Sequence, residues 1–136
     1  NASMFRFADF IGKRVEHCVA FGSLTEEDDA VDVVMIKLGG DTFWHRFFLD
    51  AGIGFWEELS CSEAFVDLDD FPCLDIAERW NLKGEVIQFA QCATGDADGR
   101  GSEIRLRFLM GCLTLRYIDP SNEESPTIIE FAPLDG

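Results

Sequence analysis

Basic side chains are scarce in this chain: its 136 residues hold 11 Lys and Arg against 26 Asp and Glu, a formal net charge of −15 at pH 7. A surface so short of cations cannot neutralise rows of phosphates. That excludes an unassisted nucleic-acid binder and disfavours docking on an anionic membrane. Histidine is scarcer still, with His17 and His45 alone to act as bases near neutral pH. Neither lies in an H-E-x-x-H sequence and no serine lies in a G-x-S-x-G elbow, so hydrolytic catalysis has no motif to rest on. Carboxylate neighbours such as Glu57 and Glu58 are plentiful, but consecutive residues point different ways and do not form an acid/base pair by themselves.

Cys18, Cys61, Cys73, Cys92 and Cys112 lack a C-x-x-C pair and any Cys/His spacing suited to tetrahedral zinc. They read as reduced, mostly buried small hydrophobes, and no metal or other cofactor is expected. A cleavable leader and a long apolar run are also missing, which points to a cytoplasmic chain. Asn1, Ala2 and Ser3 have the look of an expression-tag remnant ahead of Met4, and the length suggests one domain over residues 1–136.

Large apolar rings are what the chain has in quantity: 13 Phe and 3 Trp against a single Tyr. They can supply a core without disulfide or metal. Their spacing is mostly that of strands. Phe7, Phe10 and Ile11 stand at helical spacing before Gly12, a short N-terminal helix with a glycine stop. Val15, His17, Val19 and Phe21 then alternate with polar or small residues, placing His17 on the apolar face of a strand. Gly39-Gly40-Asp41 reads as a hairpin turn between two further strands. In the second of these, Phe43, His45, Phe47 and Leu49 oppose Trp44, Arg46, Phe48 and Asp50. Aromatics on both faces mark a central strand.

Pro72 opens a helical pattern in which Leu74, Ala77 and Trp80 share a face and Gly84 is the stop, so the main helix is expected near 72–83. Asp69 and Asp70 would complement its positive end. Past Gly84 four strands follow at short intervals. Ile104, Leu106 and Phe108 oppose Arg105 and Arg107, and Leu113, Leu115 and Tyr117 oppose Thr114 and Arg116, the pattern of an antiparallel meander with one core face. Asp96, Asp98 and Gly99 begin like a calcium loop, yet with Thr94 in first place the twelfth position is Arg105 rather than a bidentate glutamate, so a glycine-rich turn is the better reading. The expected fold is therefore α+β, predominantly antiparallel β. It has about seven or eight strands curled into a partial barrel or packed as a sandwich, one main helix and a short N-terminal one.

Function has to be read from the distribution of charge. No Lys or Arg falls between Phe47 and Glu78, and a second acidic run, Glu26, Glu27, Asp28 and Asp29, precedes Asp32. Within the first of these, the stretch Gly52 to Ser60 interrupts the strand pattern with glycines and offers Phe55 and Trp56 beside Glu57 and Glu58. Apolar anchors ringed by acids suit a docking loop for a basic protein. The alternative is that the rings fold back to plug the sheet. The expected partner-binding set is Phe55, Trp56, Glu57, Glu58, Glu63, Asp67, Asp69, Asp70 and Glu26 to Asp29. The expected function is that of a non-enzymatic acidic binding module of the inhibitor or immunity type, directed at a basic partner such as a toxin nuclease. Other readings stay open: a ligand or catalytic pocket around Trp44, His45 and Cys61, an anion site at Arg105, Arg107 and Arg116, or a homo-oligomer subunit. The three arginines are expected to pair with acids ahead of binding an anion.

Overall fold

Strand alternation carries most of the architecture. The computed structural model describes residues 3–4, 10–22, 30–50, 53–66, 72–93, 103–119 and 124–134. Its elements are β1 (Ser3–Met4), β2 (Val15–Gly22), β3 (Ala30–Leu38), β4 (Phe43–Asp50), β5 (Ile53–Ser60), β6 (Cys73–Asp75), α1 (Ile76–Arg79), β7 (Phe89–Ala93), β8 (Glu103–Phe108), β9 (Gly111–Tyr117) and β10 (Thr127–Pro133). The strands form one mostly antiparallel, nearly closed barrel-like sheet, with a single short helix among the described residues. The expected β-rich fold is therefore present, and of the two layouts considered it takes the partial barrel.

β3 is where the sheet branches. One of its edges carries β2, and beyond that β6. The other edge is shared: Val34 to Lys37 pair with β4, while Ala30 and Val31 pair with β10. From β4 the sheet continues through β5 to β1, and from β10 through β9 and β8 to β7. The ring is drawn together just before β7, where Ile87 accepts from the Gly12 N–H at 2.8 Å and donates to the Lys13 carbonyl at 2.9 Å. Those bonds tie the far end of the meander back to the chain leading into β2.

Two apolar clusters follow from this branching. Val34, Ile36 and Leu38 of β3 face the main core with Phe47, Trp56, Leu106, Phe108 and Leu115. Met35, on the opposite face of β3, joins Phe21 and Ala64, with Trp44, Leu59 and Phe65 packed alongside, under the turn that follows β5. β3 and β4 thus have apolar cover on both faces, as the doubled aromatics of β4 imply.

Several expectations are corrected. The stretch read as a docking loop is strand β5, paired with β4 along its whole length. Gly54 within it is explained by close approach: a Cβ there would lie 2.5 Å from the Cys92 Sγ of β7. The helix expected near 72–83 is the single turn Ile76–Arg79. Cys73–Asp75 instead bond to the β2 edge, and the Asp75 carboxylate caps the turn by accepting from the Glu78 N–H at 3.0 Å. A β-sheet edge in need of partners overrides helical spacing. Ala77 is buried, with Leu74 and Trp80 packed against the core as the spacing predicts.

His17 is exposed, because a bulge between Val15 and His17 shifts the register and turns Cys18 and Ala20 inward instead. Only Cys18 among the five free cysteines is buried; Cys61 and Cys73 are exposed and Cys92 and Cys112 half-buried. Of the expected N-terminal helix, Phe7 lies outside the described residues, and Phe10 to Gly12 form a turn.

Candidate functional site

β4 points His45, Phe47 and Leu49 inward, and the turn before it places Asp41 where it can meet His45 four residues on. Gly40, at φ 89, gives that turn its left-handed corner. The His45 ring is fully buried, 4.8 Å from Phe10, 5.0 Å from Phe43 and stacked on Trp56 at 5.7 Å. The Trp56 indole N–H donates to His45 Nδ1 at 2.9 Å. An indole nitrogen only donates, so Nδ1 carries the lone pair and Nε2 the proton, which goes to Asp41 Oδ2 at 3.1 Å. Asp41 also receives Lys13 Nζ at 2.9 and 3.0 Å.

The result is a buried chain of donors from Trp56 through His45 to Asp41, ended by the Lys13 ammonium. Burial pulls His45 below its ordinary range despite the carboxylate beside it. Burial works against ionised Asp41, but the bonds from Lys13 and His45 prevail and hold it below the usual carboxylate value. Both imidazole nitrogens are engaged, leaving none to accept a substrate proton. The chemistry of this cluster is structural: it fixes β4, β5 and the turn before β4 to one another.

The pocket expected around Trp44, His45 and Cys61 is not assembled. Trp44 points to the opposite face of β4 from His45, stacked on His17 at 5.8 Å and edge-on to Phe65 at 4.8 Å. Cys61 is exposed, with its Sγ 3.6 Å from the Thr42 carbonyl oxygen.

The expected docking residues divide. Trp56 is buried by its bond to His45, and Glu57, 9% exposed, is held by Arg46 directly across the strand pair, so neither is available to a partner. Phe55 is half-buried and stacked on Phe48 at 5.3 Å. Glu58 and Glu63 are exposed, close in sequence to Val66, which is 65% exposed. Glu26, Glu27, Asp28, Asp29, Asp67, Asp69 and Asp70 lie outside the described residues. The bases, by contrast, are largely engaged: Lys13 with Asp41, Lys37 with Glu16, Arg46 with Glu57, Arg105 with Glu103 and Arg116 with Glu130.

The arginine trio also divides. Arg116 is gripped by both carboxylate oxygens of Glu130, at 2.6 and 3.3 Å, and bonds the Tyr117 carbonyl at 3.0 Å. Arg105 and Arg107 stand together on the outer face of β8, lining a groove of about 280 Å³ with Phe89, Gln91, Cys112 and Leu134. Sequence reasoning missed these four. Phe89 and Gln91 do share a face by alternation, but only the register of β7 on β8 sets them opposite Arg107 and Arg105.

Among the described residues no group of His, Cys, Asp and Glu is arranged to hold a metal ion, and no helix is long and apolar enough to cross a membrane. Comparison of the chain with family models, curated proteins and solved structures finds no match.

Proposed function

We propose that this protein is a non-enzymatic acidic binding module of the inhibitor or immunity type, which neutralises a basic protein partner such as a toxin nuclease. The observation that carries the reading is the disposition of charge. The chain has a net charge of −15, and five of its bases are tied to carboxylates of the same chain. The field outside the molecule is therefore set by uncompensated acids. Such a field speeds and orients encounter with a basic surface. Exposed Glu58 and Glu63, with Val66 as an apolar contact, form the described part of the docking surface. Their carboxylates stand in for the phosphates a nuclease would bind. The free thiols suit a reducing compartment, and we place the protein in the cytoplasm.

The test is a pull-down from lysate of the source organism, washed at low and then at high salt, with bound proteins identified by mass spectrometry. The expected result is one stoichiometric basic partner released as salt rises, with slower association to the variant carrying Glu58→Gln and Glu63→Gln. Absence of a basic partner at low salt, or association unchanged in that variant, overturns the reading.

A further inference from the structure

We propose that the groove on the outer face of β7, β8 and β9 binds a small organic monocarboxylate, its charged end held by Arg107 and Arg105 and its short apolar body lying against Phe89 and Leu134. This goes beyond the protein-docking reading and rests on different residues.

Three observations meet at this place. Arg107 has no carboxylate partner among the described residues, in a chain that holds 26 acids. The register explains why: its cross-strand neighbours are Phe89 on β7 and Cys112 on β9, neither of them an anion. Arg105, two residues away on the same face, shares its charge with Glu103 at 2.6 Å but remains exposed. The second observation is apolar: Phe89 is 47% exposed and Leu134 58%, and both line the groove with the arginines. The Leu134 N–H donates to the Met110 carbonyl at 2.9 Å, which fixes the Leu134 backbone beside the β8–β9 turn. The third is concavity, a volume of about 280 Å³ where most of a sheet face is flat.

The chemistry of the ligand follows from these walls. A guanidinium offers a planar fork of donors that matches a carboxylate. The Gln91 amide, opposite Arg105, supplies a further donor at the same end. Phe89 and Leu134 give nothing to a bare ion but shelter a few carbons or a small ring. Polyanions are disfavoured, because two arginines, one of them shared with Glu103, must act inside the field of a chain at −15. A single negative charge with an apolar body satisfies both halves of the groove.

Hexanoate, hexanamide and acetate separate those halves when each is titrated into the isotope-labelled full chain and followed by backbone amide shifts. Hexanoate is expected to saturate, moving the amides of Phe89, Gln91 and Cys112. Hexanamide, without the charge, and acetate, without the body, are each expected to bind about tenfold more weakly or worse. Arg107→Gln should weaken hexanoate by about tenfold while Arg116→Gln leaves it unchanged. Both positions are on the outer face of the sheet, so the variants are compared at unchanged fold, checked by the same spectra. Equal affinity for hexanoate and hexanamide, wild-type affinity in the Arg107→Gln protein, shifts centred away from the groove, or no saturation would each overturn the proposal.

Discussion

Arg46 on β4 and Arg107 on β8 each point away from the main core on a strand within an antiparallel pair, yet one is tied down and the other open. The difference is what stands across the strand. Arg46 is in register with Glu57, whereas Arg107 is in register with Phe89 and Cys112. In the β4–β5 arm every charge that approaches the core is answered: Arg46 by Glu57, Asp41 by Lys13, His45 by Asp41 and Trp56. On the β7–β9 face Arg105 and Arg116 are answered by Glu103 and Glu130, and Arg107 stands outward with no carboxylate partner among the described residues. Net charge alone does not predict this contrast, because pairing depends on register and register depends on where turns and bulges fall.

The sharpest way to break the contrast is His45→Ala. It opens a cavity in the core and removes the bonds that the Trp56 N–H and the Asp41 carboxylate make to the ring, for an expected loss of about 3 kcal/mol in chemical denaturation. The same protein checks a pH dependence. His45 is held below its ordinary 6.5, so the unfolded chain takes up the proton more readily than the folded one. That contribution is complete above pH 6.5 and declines as pH falls beneath it, joined near the ordinary carboxylate value of 3.8 by loss of the Asp41 contribution. The wild-type slope below 6.5 should flatten in His45→Ala; an unchanged slope would assign the titration elsewhere.

Arg46→Gln is next, at about 1–2 kcal/mol, since it leaves the nearly buried Glu57 without its cation. Gly54→Ala tests the point where the two regions touch. Its new methyl meets Cys92 Sγ, so a cost of about 1–2 kcal/mol is expected, largely recovered by adding Cys92→Ala. Failure of that rescue would show that the cost lies in the strand backbone instead. Smallest is Arg107→Gln, expected within about 0.5 kcal/mol of wild type in stability, in keeping with an exposed cation that has no carboxylate partner among the described residues. Measured side by side, Arg46→Gln and Arg107→Gln read the comparison directly.

The legible parts of the fold were those where local pattern and tertiary demand agree. β8 and β9 alternate cleanly because one face is core and the other solvent, and Gly39-Gly40-Asp41 makes the turn its residues call for. β5 was hidden because its glycine looks like a loop residue, and the reason for that glycine is a sulfur on a strand far away in sequence. The one-turn α1 was overestimated because nothing local reveals that β2 offers an open edge to Cys73–Asp75. At the candidate sites, Arg105 and Arg107 were identifiable by alternation, while Arg116 could be told apart only once Glu130 was known to stand beside it. Trp56 and Glu57 misled for the same reason: an aromatic and an acid side by side describe a docking loop equally well as two residues pinned from opposite faces of a strand.

The shared edge of β3 also has a kinetic meaning. Its pairings with β2 and β4 join neighbours along the chain, so they can form while the rest is still unstructured. Its pairing with β10 must wait for a segment 96 residues further on, where the Thr127 hydroxyl donates to the Val31 carbonyl. Closing so long a span costs more chain entropy than pairing neighbours does, so this contact is expected to form after those two. Until it happens, the first two residues of β3 present a bare edge, and the time the newborn chain spends in that state is set by how soon its last strand arrives.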